Sequence, residues 1–479
     1  MKNLVEIVGD IEPLNIKGSL DVLISSVSIN SALVVPDALF IAIVGAQVDG
    51  HDFIDDAISK GAKVIVYEKD IEFKDGIVYI KVADSHEASG KIANAYYDYP
   101  SKKLKIIGVT GTNGKTTIVT LLHQLFRNLG YKAGMIGTVA NKINDDSVEA
   151  VRTTPDPITL NETLAQMVEA GCGYCFMEVS SHAVALKRIE GLEFVGGVFT
   201  NLTHDHLDFH NTIEEYAKAK QDFFTSLPST SFALSNMDSD KGEFMLESTK
   251  AKKYFYSREK PADFTGAVDT KLIGDFNQSN ILAVLGTAVL LGVDEKVARE
   301  EIKKLDPAPG RFISWTSPTG TIGIVDYSHT PDALENVLKT IQNLVGVQHL
   351  HKEVSNTYKP KVITVVGCGG DRDKAKRPVM AKIAYNMSDI VILTSDNPRS
   401  ENPQTILVEM QKGLPENYQN KVQIIEDRHL AIQKACELAK SGDYILLAGK
   451  GHENYQEVNG VKTHFDDMEE LKKCFDKMI

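Results

Sequence analysis

The sequence predicts an α/β protein of three domains. A small N-terminal domain precedes a central P-loop-type domain with a mostly parallel sheet, and a Rossmann-like, doubly wound domain ends the chain. Three observations predict this. At 479 residues the chain exceeds one ordinary hydrophobic core. Apolar runs of strand length alternate with helix-period stretches, as crossover connections between parallel strands require. One such run, "LKIIGVT", passes through "GTNGKTT" into the helical "IVTLLHQLF", giving strand, glycine loop and helix in succession.

The elements follow in order. Residues 1–98 carry "ALFIAI", "AKVIVYE" and "GIVYIKV" as strands and close on the helical "SHEASGKIANAYYDYP". Residues 99–308 hold "LKIIGVT", "YCFMEVS" and "GGVFTNL" as buried strands, with "IEEYAKAKQDFFTSL" as an amphipathic helix and "NQSNILAVLGTAVLLG" as a buried one. Pro307, Pro309 and Gly310 in "LDPAPGRF" mark a boundary. Residues 309–479 repeat the alternation with "GTIGIVDY", "KVITVVGCG", "DIVILTSD" and "DYILLAGK". The polar "GVQHLHKEVSNTYKPK", residues 346–361, reads as an exposed loop.

Composition narrows function. A net charge of −13 argues against a nucleic-acid or anionic-membrane surface, so an anionic ligand must be held by local positive features. "MKNLVEIVGDIEP" has no signal-peptide core, and the longest apolar run, "ILAVLGTAVLLGV", is too short to insert across a membrane. Five cysteines without framework spacing fit a reducing compartment, and a cytoplasmic location is expected. Cys172 and Cys175 form a C-x-x-C, but no second ligand pair lies nearby and Cys175 enters an apolar strand. Packing is the expected role of this pair.

A strict phosphate loop has glycine where this chain has Val109; Gly108, Gly111 and Gly114 stand ahead of Lys115 and Thr116. Glycines let backbone N–H groups converge on phosphate oxygens, and the helix N-terminus adds partial positive charge. Lys115 is placed to reach β- and γ-phosphates, and the Thr116 hydroxyl to ligate Mg2+. Two further strand ends carry polar groups. "MEVSSHAVALKR" sets Glu178, Ser180, Ser181 and His182 after a strand, with Arg188 beyond; "FTNLTHDHLDFH" sets His204, Asp205, His206 and Asp208 after another. A carboxylate and an imidazole at neighbouring strand ends, beside a phosphate loop, suit a metal shell for nucleotide phosphates. Lys218 and Lys220 on the next helix read as a solvated basic face.

These segments are joined by "YAKAK", "GDFNQSN", "PGRF", "DYSHTPDALENVL", "GCGGDRDKAKRP", "SDNPRSENP" and "LLAGKGHENYQ", in one order from about residue 108 to 456. In that set the chain closely resembles the Mur ligases. The resemblance implies an ATP-dependent amide ligase, expected as a monomer. It would add meso-diaminopimelate to UDP-MurNAc-L-Ala-D-Glu through an acyl phosphate, in peptidoglycan precursor synthesis. Carried over by motif, the triphosphate falls to Gly111, Thr112, Asn113, Gly114, Lys115, Thr116 and Thr117, and the adenine side to Asn277 and Asn280. Arg311, Asp326, Tyr327 and His329 would close over the nucleotide from the third domain. Mg2+ would be held by Thr116, Glu178, His206 and a carbamate on Lys220, which reverses the solvated reading of that lysine. Catalytic work is implied for Lys115, Glu178, His206, Lys220 and Arg311.

For the UDP-linked substrate the resemblance points to Ser31, Thr153, Thr154, Ser180 and Arg188. For the amino acid it points to Arg372, Asp396, Asn397, Pro398, Arg399, Gly449 and Glu453. Where the family shows Asp-Ser-Arg, this chain has Asn30, Ser31 and Ala32, so the serine remains and the arginine is lost. The alternatives are the same ligation with L-lysine, a folylpolyglutamate-synthetase-like ligase, and a P-loop switch or motor. The second leaves "DNPR" and "GCGGDRDK" unexplained, and the third requires neither "DNPR" nor "GKGHE".

Overall fold

The computed structural model describes residues 1–45, 48–148, 150–351 and 358–477, the side chains of 347–351 excepted. Among them, the strands form three main sheets and two small ribbons. The widest sheet runs, edge to edge, through Asp146–Val148, Asn141–Ile143, Ala133–Ile136, Tyr174–Glu178, Lys105–Thr110, Gly196–Phe199, Phe232–Asn236, Lys252–Ser257 and Phe264–Thr265. Only Asn141–Ile143 runs against the direction of the other strands.

Lys105–Thr110 takes the middle because Ile106, Ile107 and Val109 are β-branched and fully buried, the composition of a strand covered on both faces. On one face the helix Lys115–Asn128 packs Ile118, Leu121, Leu122 and Leu125 beside the apolar helix Asp275–Leu290. On the other face lies the helix Ile213–Ser226, through Ala217, Phe223 and Phe224. Gly108 belongs to this packing: a Cβ there would sit 2.5 Å from the Phe223 ring. It lies inside the strand, so of the three spaced glycines only Gly111 and Gly114 belong to the loop.

The C-terminal sheet has the order Ile313–Thr316, Ile322–Asp326, Tyr444–Ala448, Val362–Val366, Ile390–Leu393, Val422–Ile424, parallel after its first antiparallel pair. Apolar clusters on both faces make it doubly wound. The N-terminal sheet sets Asn15–Lys17 antiparallel beside Val78–Lys81, followed by parallel Ala62–Tyr67, Ala38–Ile41 and Val27–Ser28.

One expectation is corrected. The segment from residue 346, read as loop, continues the helix Pro331–His351. Gly346 has nothing within 4 Å of where its Cβ would stand; an isolated glycine costs a helix only about 1 kcal/mol, too little to end one anchored by Leu334, Leu338 and Ile341. Of the remainder, 352–357 lies outside the described residues and 358–361 is in neither helix nor strand.

Candidate active site

At the switch point of the central sheet, Lys105–Thr110 lies between Tyr174–Glu178 and Gly196–Phe199, and its carboxyl end opens a crevice. Gly111 (φ 146°) passes so close to Thr200 that a Cβ would overlap its hydroxyl. The loop is pinned by backbone: Thr112 N–H donates to Asn201 O at 2.8 Å, Asn113 N–H to Asn201 Oδ1 at 2.9 Å, and Thr200 Oγ1 to Asn113 O at 2.6 Å. Lys115 folds its ammonium back onto the carbonyls of Gly111 (2.9 Å) and Thr112 (2.8 Å). Burial lowers its pKa, against the nearby Glu178 and Asp205 charges.

Glu178 ends the next strand and is 1% exposed. Its Oε2 accepts from Thr116 Oγ1 at 3.1 Å, and its Oε1 from the Thr138 N–H at 2.8 Å. Thr153 Oγ1 lies 3.0 Å from Thr138 Oγ1, and Thr154 Oγ1 donates to the Glu178 carbonyl at 2.8 Å. Ser180 caps the short helix Ser181–Ala185, its N–H donating to Thr154 Oγ1 at 3.1 Å, while Arg188 reaches the Thr154 carbonyl at 3.1 Å. Thr153, Thr154, Ser180 and Arg188, far apart in sequence, thus form one wall.

Lys220 is 1% exposed, its Nζ 2.9 Å from Gly111 O and 4.4 Å over the Tyr216 ring. Burial, then the Lys115 charge, pushes its pKa well below that of an ordinary lysine. Lys218 pairs instead with Asp222 at the surface. His206 adopts a left-handed backbone (φ 57°) at the start of Leu207–His210, its ring 4.9 Å from that of His182. Burial outweighs the Asp205 charge and brings its pKa down to about 3, leaving a neutral imidazole.

The C-terminal sheet supplies the facing side. Arg311 stacks over Tyr327 (4.6 Å) and donates from Nη2 to Thr116 Oγ1 at 3.1 Å; its buried Nε has no partner. Asp326 accepts from the Phe312 N–H at 2.8 Å and anchors that turn. His329 Nδ1 lies 2.9 Å from the Tyr327 carbonyl, and the Tyr327 hydroxyl donates to Glu453 Oε1 at 3.3 Å. Arg399, left-handed at φ 51°, donates from Nη1 to Gly370 O at 2.8 Å and lies 3.8 Å from Glu457.

One cavity of about 790 Å³ joins these groups. It is lined by the loop from Thr112 to Thr116, by Thr153, Thr154, Glu178, Ser180, Arg188, His206 and Lys220, and by Arg311, Tyr327, His329, Arg372, Asp396, Asn397, Arg399, Gly449 and Glu453. Asn277 lines a second cavity of about 250 Å³ that Arg311 also borders. Asn280 lies under the loop, its Oδ1 2.5 Å from where a Gly114 Cβ would stand. Gly111, Thr117, Asp326 and Pro398 support these walls without lining the large cavity, and Ser31, in the N-terminal sheet's layer, lies away from it. The motif reading did not single out Asp332, Asp373, Lys376 and Lys450, which fasten the two sides together or underpin the pocket.

Fold and site together define a multi-domain α/β ligase of the phosphate-loop class. Three family models match in succession: the Mur ligase catalytic domain over residues 23–97, the Mur ligase middle domain over 109–267, and the glutamate ligase domain over 310–451. The chain belongs to the Mur ligase family. A curated relative from Bacteroides fragilis, UDP-N-acetylmuramoyl-L-alanyl-D-glutamate–2,6-diaminopimelate ligase, is 50% identical over 98% of this chain and 99% of its own. The enzyme of the same name from Cytophaga hutchinsonii is 50% identical over 97% of each chain. A solved structure of a ligase of that name superposes with a TM-score of 0.67 at 32% identity, covering 100% of this chain and 99% of the other.

Proposed function

We propose that this chain uses ATP to join diaminopimelate to UDP-MurNAc-L-Ala-D-Glu in peptidoglycan precursor synthesis. The observation that carries the reading is the single cavity shared by the glycine loop, the Thr153–Arg188 wall and the Arg372–Arg399–Glu453 pocket. A nucleotide, an acidic acceptor and an amino acid need such adjacency if an acyl phosphate is to form and be consumed without meeting water. The acceptor's carboxylate oxygen attacks the γ-phosphorus and ADP leaves; the amine nitrogen then attacks the acyl carbon, phosphate leaves, and the nitrogen's extra proton is lost. Residues 1–98 would bind the UDP end, 99–308 the nucleotide and 309–479 the amino acid. The cytoplasm is the compartment this chemistry implies; no helix among the described residues is long and apolar enough to cross a membrane.

The chain's own groups supply charge where phosphates would gather: Lys115 at the loop, and Arg311 with an unpartnered Nε. A magnesium ion suits the adjoining oxygens of Thr116 and Glu178. No group of three or more His, Cys, Asp or Glu that could by itself hold a metal ion exists among the described residues, and Mg2+ is commonly bound by one or two protein oxygens plus phosphates and water. When bound it would neutralise phosphate charge, with neutral His206 and a carbamate on Lys220 completing its surroundings. Lys220 suits carbamylation because burial favours the neutral amine that carbon dioxide requires.

The test is a phosphate-release panel. Release is expected only with ATP, the UDP-linked dipeptide and meso-diaminopimelate together. L-lysine should substitute poorly, because Arg399 and Arg372 border the pocket where a second carboxylate would lie. ATP hydrolysis indifferent to both substrates would overturn the ligase reading; preference for lysine would overturn the choice of amino acid.

A further inference from the structure

Two residues beyond the buried strand Tyr444–Ala448 comes Lys450, whose side chain is wholly buried. Its Nζ lies 3.0 Å from Asn397 Oδ1, 3.4 Å from Asp396 Oδ1 and 3.7 Å from Glu453 Oε2. Asn397 is fully engaged in the same knot. Its Oδ1 also accepts from the Glu457 N–H at 3.0 Å, and its Nδ2 donates to Glu453 Oε2 at 2.7 Å. Asp396, Asn397 and Glu453 line the large cavity, whereas Lys450 does not. A cation is therefore fixed behind two carboxylates that face the amino-acid pocket.

We propose that Lys450 is a positioning residue for the incoming amino acid: its buried charge holds Asp396 and Glu453 as a preformed acceptor pair for an ammonium group. The inference rests on the ligase reading and deepens it.

Two carboxylates sharing one desolvated site repel, and one is protonated unless a cation compensates. Burial raises the pKa of Asp396, but the charges of Lys450, Arg428 and Arg399 outweigh it and hold the carboxyl below its usual range. Burial and the Asp396 charge raise that of Glu453, which Lys450 and Arg399 oppose. Tyr327, Tyr455 and Cys368 beside the pair supply no charge. Tyr327 and Tyr455 have pKa values raised chiefly by burial, and burial pushes the Cys368 thiol up to about 12. Arg428 is bound to Asp467 at 2.6 Å, and Arg399 to Gly370 O and Glu457, so neither is free to take over from Lys450.

The experiment compares full-length wild type, Lys450→Met, Lys450→Gln and Lys450→Arg. Both neutral variants should raise KM for diaminopimelate on the order of tenfold to a hundredfold and leave KM for ATP and for the UDP-linked substrate within about twofold. Loss of the cation raises the carboxylate pKa values, so the acid limb of kcat/KM for the amino acid should move to higher pH, by about one unit or more. Lys450→Arg, which keeps the charge, should retain the wild-type acid limb. Unchanged KM and pH profile in either folded neutral variant would overturn the inference, as would equal KM increases for all three substrates. Failure of both neutral variants to fold would assign Lys450 to the core and overturn it too. Wild type without diaminopimelate-dependent phosphate release would instead overturn the ligase reading itself.

Discussion

Lys218 and Lys220 lie two positions apart on one helix, about 200° around its axis, and their environments are opposite. Lys218 pairs with Asp222 in solvent, while Lys220 shares its face with Tyr216, Ala217, Phe223 and Phe224 and reaches the Gly111 carbonyl. A buried amine with a depressed pKa and an acyl-phosphate chemistry beside it is costly to keep unless it is modified or paired. Lys220→Ala should therefore lower ligation by at least about 10²-fold with circular dichroism unchanged, as losses of positioned charge do. Acetate, entering the vacated space, should restore part of it. A fully active alanine variant would return Lys220 to a packing role. The helical period puts Lys220 on the apolar stripe, but both lysines read as a solvated basic face, and the motif resemblance alone points to a carbamate on Lys220. Sequence does not single out Lys450 within "GKGHE", because it shows a lysine between glycines but not the carboxylates that converge on it.

At the scale of elements, the central strands were legible because they are short, apolar and β-branched; every residue of Val362–Val366 and Tyr444–Ala448 is buried. The edge pieces were not. Asp146–Val148 is exposed throughout, so no hydrophobic alternation marks it, although its pairing with Asn141–Ile143 is a local hairpin closed by Asn144 and Asp145. Equally hidden was the junction of the last two long helices. Arg428, in Arg428–Leu438, meets Asp467, the first residue of Asp467–Phe475, at 2.7 and 2.6 Å, and both are fully buried. Removing one partner strands the other charge, a loss of about 3–5 kcal/mol. Asp467→Ala should thus lower the urea midpoint of the C-terminal sheet's transition by that equivalent. Trp315, the chain's one tryptophan, is a built-in reporter, since Lys472 of the same helix lies 4.4 Å over its ring. A fluorescence transition at the wild-type midpoint would show that the pair contributes nothing to this helix junction.

Across the whole molecule, the cavity exists because two sheets are held with their strand ends opposed. Among the polar contacts that cross from the central layer to the C-terminal one are Asn113 Nδ2 to Asp332 at 2.9 Å, His204 to Asp373 at 2.8 Å, Lys376 to Asp205 at 3.9 Å, and Arg311 to Thr116 at 3.1 Å. The first three fasten the rims. Arg311 differs, because it meets the hydroxyl beside Glu178, keeps a buried Nε without a partner, and borders both cavities. A guanidinium brought to the phosphates by the opposing layer acts most strongly when charge shifts during transfer, and less on the nucleotide at rest. Arg311→Ala should accordingly reduce kcat by roughly 10²–10³-fold, the usual cost of one preorganised donor, and change the Kd for ATP by less than about fivefold. The comparison pairs single-turnover ligation with equilibrium ATP binding to the free protein. Should affinity fall in step with turnover, Arg311 would belong to an open nucleotide site, and the opposed sheets would have to be explained by substrate shielding alone. Should turnover fall by itself, the interface between the two layers is where this chain assembles its phosphoryl-transfer chemistry, which also explains why no single sheet carries the complete set of charges.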